Sequence, residues 1–451
     1  QGLLAAWLGS APRRTRVQQS KDPVATSVNA VIQPLIKDNL PFEAEPILLE
    51  NDPNLSPEGR AELFQRVAWS YFITGDDDAA RRLAAIGQSG SGEWAALSDW
   101  TQGLSAWRSG DYGAAYTAFD AAAARFQDDD KSSSSHFWAA RAALASGQPR
   151  FADAHLKAAA RYAETFYGML ATERLGLPKT IQTMPDHVSD VEQLPNVRAA
   201  LALAEIDETD LADEVIRYQA RIGDPRKHAA LAALAGRMDL PATQLWLAHN
   251  GPAGAQAPAS ARYPMPRTWQ PEGGWRIDKA LVYAHALQES QFRPAVVSPA
   301  GAKGLMQVMP GTAAMMARQK GRDTVGSLND PATNMEYGQS FIERLRDMPI
   351  TGGILPKVIA AYNAGPQPVD VWNQRARDNS DPLLYIESIP YWETRAYVTI
   401  ILRNYWMYQR QTGEETASLA ALSQGLWPRF PGLPGPTAVR SDRSGTRASA
   451  N

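Results

Sequence analysis

The sequence predicts an all-α protein in which a superhelix of helical repeats is followed by a second helical domain. From about residue 22 to residue 250 the chain is rich in alanine, and its apolar residues recur at helical spacing between short breaks at glycine, aspartate and proline. A glycine-containing turn recurs within this stretch at a nearly constant interval. Beyond residue 263, apolar residues again follow the helical period before a polar loop.

The recurring turn separates two helices in each repeat. Residues 71–80 read YFITGDDDAA and residues 106–115 read AWRSGDYGAA, so Gly75 and Gly110 are 35 residues apart. Gly147 follows Gly110 after a further 37 residues. This period matches paired-helix repeats of the tetratricopeptide type, in which glycine forms the turn and small alanines let the second helix approach the first. Because one helix pair cannot bury its apolar face alone, the repeats are expected to stack.

A set of aromatic residues lies at helical spacing in the repeats: Trp69, Phe72, Trp100, Trp107, Phe119, Phe137 and Trp138. Aromatic side chains at such positions usually fill the seam between helices. We therefore expect most of them in the core. Stacking against sugar rings is the alternative interpretation.

The composition excludes several classes of function. The 451 residues carry a net charge of −3 and contain no basic run interleaved with aromatic residues, so no nucleic-acid partner is predicted. The chain has no cysteine, and its six histidines are not spaced as ligands on one helical face. We therefore predict neither disulfides nor a metal site. Phosphate-binding loops and dinucleotide motifs are also missing from the sequence, and no cofactor is predicted.

No segment of the sequence has the length and apolar character of a transmembrane helix, which requires roughly 18 uninterrupted apolar residues. A mature protein without a transmembrane segment is therefore predicted. The chain begins with Gln1, and the apolar run at residues 3–8 is too short for a whole signal peptide. We expect the start to be processed or truncated.

Shifts in composition predict four segments along the chain. Residues 1–176 are expected to form the superhelix, and residues 177–262 a connecting helical segment and linker, since proline and glycine cluster there. Residues 263–430 are expected to form the second helical domain. Residues 431–451 consist largely of Pro, Gly, Ser and Arg and are predicted to be a disordered tail.

One carboxylate falls where a helix is expected to give way to a loop. The helix is predicted to begin near Trp275 and to end near Arg293, because Pro294 disfavours helical geometry at the preceding residue. Glu289 then lies in the last turns, where the negative helix pole and burial under apolar neighbours would both raise the pKa of a carboxyl group. A raised pKa suits a general acid near neutral pH. The alternative is a solvated glutamate that ends an amphipathic helix.

Five motifs follow one another in the last third of the chain. They are ES at 289–290, SPAGAKGLMQVMP at 298–310, DPATNMEYG at 330–338, AYNAGP at 361–366 and ESIPYWETRAYV at 387–398. Together they resemble the catalytic domain of soluble lytic transglycosylases, bacterial enzymes that cleave peptidoglycan. The resemblance implies a lysozyme-like α-helical fold for this domain. The first two thirds of the chain resemble the family's superhelix only in their general helical pattern.

The resemblance implies cleavage of the β-1,4 bond between N-acetylmuramic acid and N-acetylglucosamine without water. In the family, the 6-hydroxyl of the muramic acid attacks its own anomeric carbon to give a 1,6-anhydro end. One glutamate, which Glu289 matches, acts first as acid and then as base. Glycoside hydrolysis normally takes two carboxyl groups. No Asp or Glu lies between Glu289 and Arg322, which favours a reaction that needs only one.

The resemblance also implies a set of substrate-binding residues, namely Ser298, Gln307, Met309, Tyr362, Asn363 and Glu387. Ser298 would bond to Glu289 or to the substrate, unless it is only a turn residue. Gln307 would hydrogen-bond a sugar from a loop. Met309 would give a sugar subsite an apolar floor, with core packing as the alternative.

The later members of this set come from the last two motifs. Tyr362 and Asn363 would point into the groove from a helix that ends beside Gly365. Glu387 would hold the peptide stem or an N-acetyl group, with a helix-start carboxylate as the alternative. Arg395 is expected as an ion-pair partner, and His285 as a packed or surface histidine.

The expected partners are the glycan strands of peptidoglycan, with other cell-wall enzymes as candidates for complexes, and the implied location is the periplasm. Two alternative functions stay open. One is a muramidase that uses water, which a second carboxylate facing Glu289 would favour. The other is a non-catalytic repeat scaffold with a glycan-binding domain.

Overall fold

The computed structural model describes residues 17–375 and 377–441, and most of these residues are helical. The helices are α1 Pro23–Lys37, α2 Pro41–Asn51, α3 Pro57–Thr74, α4 Asp77–Gln88, α5 Gly92–Arg108, α6 Tyr112–Arg125, α7 Asp129–Ala145, α8 Pro149–Ala160, α9 Phe166–Arg174, α10 Ser189–Glu192, α11 Pro195–Glu205, α12 Thr209–Ile222, α13 His228–Arg237, α14 Pro241–His249, α15 Lys279–Ser290, α16 Pro310–Gln319, α17 Pro331–Asp347, α18 Leu355–Ala364, α19 Pro366–Arg375, α20 Pro382–Glu387, α21 Trp392–Thr412 and α22 Ala417–Ser423. The predicted all-α class is confirmed. The apolar run at residues 3–8 lies outside the described residues.

The described chain divides into two compact units. We call residues 179–347 and 400–416 the Glu289 unit, and residues 17–178, 348–399 and 417–441 the repeat unit. Residues 17–176 of the predicted superhelix lie in the repeat unit. The predicted domain 263–430 supplies residues to both units, so its boundaries differ from theirs.

The helix pairs of the repeat unit confirm the predicted repeats. Gly75, Gly110 and Gly147 follow α3, α5 and α7 with φ of 91°, 79° and 75°, the left-handed region that glycine enters without a Cβ penalty. Ala80 and Ala115, in the second helices of the first two pairs, are fully buried. The helices approach closely, since a Cβ on Gly103 of α5 would stand 2.5 Å from the Phe119 ring of α6.

Most of the aromatic residues singled out in the repeats form the core, as predicted. Phe72, Phe119 and Trp138 are fully buried, and Trp100 and Phe137 nearly so, whereas Trp69 and Trp107 are half-buried. The ring centroid of Trp138 lies 5.6 Å from that of Phe119 and 6.4 Å from that of Trp100. Each buried aromatic side chain stabilises the fold by about 2 kcal/mol. Stacking against sugars is therefore excluded for the buried members.

The Glu289 unit begins with a small helical cluster. Helices α10 to α14 enclose a core that includes Val197, Ile216, Leu231 and Leu247. The chain from 178 to 188 is irregular, as the prolines predicted, and residues 250–258 form a non-helical connection that is exposed only in part. A short 3-10 helix, Ala259–Arg262, then leads toward α15.

The helix that carries Glu289 is shorter at both ends than predicted. It begins at Lys279, because Asp278 caps it by accepting a hydrogen bond from the backbone N–H of Ala280 at 2.9 Å. It ends at Ser290, three residues before the predicted end. The two residues that follow, Gln291 and Phe292, both have positive φ, so the chain turns before the proline acts.

The prediction of a disordered tail from residue 431 is wrong as far as residue 441. A strand at Ala438–Val439 pairs antiparallel with a strand at Trp427–Pro428, and the Trp427 side chain is fully buried. Ladder hydrogen bonds and this buried anchor order a segment that composition alone describes as loop. Residues 442–451 lie outside the described residues. Among the helices described, none is both long and apolar enough to span a bilayer.

Candidate active site

Glu289 lies in the last turn of α15 and is buried, with 8% of its surface exposed. His285, one turn earlier, is 1% exposed and donates from Nδ1 to the carbonyl oxygen of Leu281 at 2.8 Å. Burial lowers the pKa of His285 to about 4, so its ring is neutral at neutral pH. His285 is thus a packed histidine, as predicted, and it supplies no positive charge beside Glu289.

The backbone directly after α15 is strained. Gln291 and Phe292 have φ of 54° and 58°, a region that costs roughly 1–2 kcal/mol per non-glycine residue. The Phe292 side chain is 1% exposed, and its ring packs against Tyr283 and Trp269 at 6.1 Å and 6.4 Å between centroids. Packing therefore holds the strained turn in place. Strain of this kind clusters at functional sites, where the surroundings over-determine the backbone.

Ser298 closes a turn in the loop that follows. Its Oγ accepts a hydrogen bond from the backbone N–H of Ala302 at 2.9 Å, and its own N–H donates to the Ala302 carbonyl at 2.8 Å. Gly301, inside the turn, has a φ of 86°. The structure thus shows the turn role that was the alternative for Ser298, and its part in binding substrate remains a prediction.

Asn334, on α17, anchors this loop. Its Oδ1 accepts from the backbone N–H of Met306 at 2.8 Å, and its Nδ2 donates to the carbonyl oxygens of Lys303 and Leu328 at 2.8 Å and 2.9 Å. The side chain is fully buried. A Cβ on Gly304 would stand 2.2 Å from Asn334 Nδ2, so only glycine allows this approach. The sequence included Asn334 in a motif but gave no role for it.

The loop bonds only the nitrogen of the Gln307 side-chain amide. Its Nε2 donates to the carbonyl oxygens of Val296 and Gly304 at 3.1 Å and 2.9 Å, which fixes the side chain. Its Oε1 is buried and has no hydrogen-bond partner among the described residues. A buried carbonyl oxygen without a donor is costly, so this atom is suited to accept from a ligand N–H or O–H.

Met309 is not a core residue. It precedes α16 as its N-cap and has 43% of its surface exposed. The interpretation of Met309 as core packing is therefore wrong. An exposed thioether beside a polar loop can still provide the apolar contact that the resemblance implies.

Other carboxylates in this stretch already have structural partners. Glu336 accepts hydrogen bonds from Arg276, Lys320 and the backbone N–H of Gly273. Burial alone would raise the pKa of Glu336, but these bonds lower it to about 2. Bonds also hold Glu272, Asp278, Asp330, Glu343 and Asp347. Asp323 is exposed. The bonded carboxylates are therefore committed to structure.

The remaining predicted residues lie in the repeat unit. Tyr362 and Asn363 occupy the last turn of α18, which ends at Ala364 with Gly365 at a φ of 85°, as the sequence predicted. Both side chains are half-buried. Asn363 Oδ1 accepts from Thr394 Oγ1 at 2.6 Å, a bond that joins the end of α18 to the first turn of α21.

Glu387 is the last residue of α20, so its interpretation as a helix-start carboxylate is wrong. It is 8% exposed, and its Oε1 accepts a hydrogen bond from the Tyr167 hydroxyl at 2.6 Å. The sequence did not predict Tyr167 as a partner. Arg395 donates to the carbonyl oxygens of Glu387 and Ile389 at 3.2 Å and 3.1 Å, contacts that the ion-pair expectation did not foresee.

Comparison with known proteins agrees with the motifs. Residues 269–384 match the family described as "Transglycosylase SLT domain". A segment of 155 residues is 36% identical to the soluble lytic murein transglycosylase of Escherichia coli strain K12, covering 34% of this chain and 24% of that protein. A segment of 159 residues is 35% identical to the protein of the same description from Salmonella typhimurium. The aligned segments span about a quarter of these relatives.

Two solved structures share the fold. The 70 kDa soluble lytic transglycosylase from Escherichia coli has a TM-score of 0.69 at 24% identity, over 90% of this chain and 65% of that one. An inactive glutamate-to-glutamine mutant of the lytic transglycosylase Slt from Pseudomonas aeruginosa has a TM-score of 0.65 at 24% identity, over 88% of this chain and 65% of that one. The predicted resemblance to soluble lytic transglycosylases and the predicted fold class are therefore confirmed.

Proposed function

We propose that this protein is a lytic transglycosylase of peptidoglycan. It cleaves the β-1,4 bond between N-acetylmuramic acid and N-acetylglucosamine without water and leaves 1,6-anhydro ends. The observation that carries the proposal is the transglycosylase SLT match over residues 269–384, which includes Glu289 at the buried end of α15.

Glu289 acts twice in this reaction. As an acid, it protonates the glycosidic oxygen as the bond to the muramic anomeric carbon breaks. As a base, it then takes the proton of the 6-hydroxyl that attacks the same carbon. The nucleophile belongs to the substrate, so its proximity is built in and no bound water is needed.

The bonds of the other carboxylates in residues 269–347 favour this reaction over hydrolysis, and the remaining one, Asp323, is exposed. A water-using muramidase needs a second carboxylate as base or nucleophile. Within residues 269–347, Glu272, Asp278, Asp330, Glu336, Glu343 and Asp347 are bonded to capping groups, arginines or lysine. Releasing any of them would cost a capping or charged hydrogen bond. A non-catalytic scaffold is the weaker alternative, because Glu289 and Gln307 are both present.

The substrate groups are assigned by their chemistry. Gln307 Oε1 accepts a hydrogen bond from a sugar, and exposed Met309 packs against a sugar face. Tyr362 and Asn363 bind the glycan from the end of α18. Ser298 shapes the loop and binds through its hydroxyl, and Glu387 holds the peptide stem or an N-acetyl group.

The proposal includes a domain organisation and a location. Residues 1–176 form the superhelix, 177–262 the connection and 263–430 the lysozyme-like catalytic domain. The relatives are named as murein transglycosylases, and on that basis the substrate is the glycan strand of periplasmic peptidoglycan. Complexes with other cell-wall enzymes belong to the same proposal.

Mass analysis of the muropeptides released from purified peptidoglycan tests the proposal. Products one water lighter than hydrolytic ones, and resistant to borohydride reduction, are expected. Reducible muramic ends would establish a muramidase instead. No release from a substrate that a control lysozyme degrades would favour the scaffold.

A further inference from the structure

The short helix α20, which ends in Glu387, is bonded at its start by side chains of the repeat helices. Asp381 caps α20 by accepting from the backbone N–H of Leu383 through Oδ1 at 3.0 Å. Its Oδ2 accepts from Arg141 Nη2 at 2.7 Å and from Trp107 Nε1 at 3.2 Å. The Asp381 carboxylate thus accepts hydrogen bonds from residues of α20, α7 and α5.

Aromatic rings fix the arginine of this anchor. The Arg141 guanidinium lies 4.5 Å from the ring centroid of Trp107 and 4.4 Å from that of Trp138. A planar guanidinium packed against two rings is held in one orientation. The ion pair with Asp381 is partly shielded from water, since 19% of the Arg141 side chain and 11% of the Asp381 side chain are exposed. The start of α20 therefore has a defined position against the repeats.

The end of α20 is held by a second chain of hydrogen bonds. Trp138 Nε1 donates to the Tyr167 hydroxyl oxygen at 3.0 Å, and the same hydroxyl donates to Glu387 Oε1 at 2.6 Å. Trp138 and Tyr167 are buried. Burial and the neighbouring Glu387 carboxylate raise the pKa of Tyr167 well above its ordinary value. The phenol therefore stays protonated and keeps donating at any working pH.

This arrangement fixes one oxygen of Glu387 and leaves the other available. Oε1 is taken by Tyr167, whereas Oε2 has no hydrogen bond in the part of the chain that the structure describes. Glu387 keeps 8% of its surface exposed, so the residue is not fully sealed from solvent. A carboxylate with one oxygen fixed and one open is suited to receive an N–H donor, most strongly a charged one.

We propose that the repeat superhelix belongs to the substrate-binding machinery, because Tyr167, seated by Trp138, orients Glu387 so that Oε2 receives an N–H donor of the glycan substrate. The donor is the amine of a peptide stem or the N–H of an N-acetyl group. This inference rests on the proposed function and deepens it, since Tyr167 is a positioning residue that acts through Glu387.

Replacing Tyr167 with Phe in the full chain tests the proposal. The substrates are purified peptidoglycan tetrasaccharides with and without peptide stems. Tyr167→Phe is expected to raise KM about tenfold while kcat stays within about twofold, because a loss of binding shared by ground and transition states appears in KM. A rise confined to the stem-bearing substrate identifies the stem amine as the donor. An equal rise on both substrates identifies the N-acetyl group.

Two further variants separate positioning from general damage. Tyr162→Phe removes a phenol from the same region without touching Glu387 and is expected to leave KM unchanged. In a Glu387→Gln background, Tyr167→Phe is expected to change KM less than twofold, because the two residues act as one unit. An unchanged KM for Tyr167→Phe, or an equal effect in both backgrounds, would overturn the proposal. So would a kcat loss that follows a lowered melting temperature.

A binding measurement keeps this inference separate from the proposed function. Calorimetric titration of the same tetrasaccharides into Glu289→Gln and into Glu289→Gln/Tyr167→Phe compares affinity without turnover. About tenfold weaker binding by the double variant is expected, and equal binding would refute the role of Tyr167. If the unaltered protein releases no anhydro product, the proposed function fails, but this titration still decides the role of Tyr167.

Discussion

Glu289 and Glu387 are alike in burial and in place on a helix, yet their surroundings arise differently. Each is 8% exposed and lies in the last turn of its helix. The loop that follows Glu289 is fixed by Asn334, within the same motif series. Glu387 is bonded instead to Tyr167, 220 residues earlier in the chain. One candidate residue is thus supported by its own motif region and the other by the repeats.

The largest effect is expected at Glu289. Glu289→Gln keeps the shape of the side chain but removes its proton-transfer ability, so turnover should fall by about a hundredfold to ten-thousandfold. Release of anhydro-muropeptides measures it. Asp323→Asn, at an exposed carboxylate, is the matched control and should retain full activity. Activity of Glu289→Gln within about tenfold of the unaltered protein would remove Glu289 from the central role.

The next effect is expected from the loop anchor. Asn334→Ala removes three hydrogen bonds to backbone groups, two of them buried, and each buried group left unsatisfied costs roughly 1–3 kcal/mol. We expect the free energy of unfolding to fall by about 3 kcal/mol or more, and turnover to fall as Gln307 loses its position. Urea denaturation measures the stability. Asn329→Ala, at an exposed site nearby, should change it by less than about 0.5 kcal/mol.

A smaller effect is expected at Glu387, which would bind substrate and take no proton. Glu387→Gln should raise KM about tenfold and leave kcat within about threefold, because only binding common to both states is lost. Steady-state kinetics on stem-bearing glycan measure this, with Glu43→Gln on the exposed face of α2 as control. A loss of kcat as large as that of Glu289→Gln would mean that the two glutamates share the chemistry.

A pH effect on stability, rather than on activity, distinguishes the two units. Burial lowers the pKa of His285 to about 4, below the ordinary value near 6.5, so the unfolded chain binds this proton more readily. The resulting stabilisation is complete above about pH 6.5 and is lost as the pH falls toward 4, by about 3 kcal/mol. His285→Asn keeps an N–H donor and should flatten this dependence in urea denaturation. An unchanged slope would mean that His285 titrates normally.

His136 gives the corresponding test in the repeat unit. Its Nδ1 lies 2.9 Å from His155 Nδ1, and burial, with the neighbouring His155, lowers the pKa of His136 to about 4. Only one of these two nitrogens can carry the proton of their hydrogen bond, so at least one ring must be neutral. His136→Asn should therefore also flatten the pH dependence between about 6.5 and 4. If only one of the two variants flattens the pH dependence, the unit that contains the replaced histidine controls acid unfolding.

Features that depend on local sequence were predictable. Glycine turns at a fixed period predicted the helix pairs, and the motif with AYNAGP predicted that α18 ends beside Gly365. Those signals work because a turn glycine or a helix cap acts within a few residues. Burial of Phe119 and Trp138 followed from helical spacing in the same way.

Features that depend on tertiary contacts were not predictable. The bond between Tyr167 and Glu387 links distant parts of the chain, and nothing in either residue's neighbourhood specifies the other. The early end of α15 depends on the packing of Phe292, which holds a backbone conformation that its residue type disfavours. The amide of Gln307 was expected to face a sugar, but its Nε2 is used by backbone carbonyls.

The central claim is that one carboxylate cleaves the glycan without water, and digestion of purified peptidoglycan in heavy-oxygen water tests it most directly. We predict muropeptides with anhydro ends that carry no heavy oxygen, because the new bond at the muramic anomeric carbon comes from the sugar's own 6-hydroxyl. Incorporation of one heavy oxygen at the muramic ends would show that water is the nucleophile and would contradict the account.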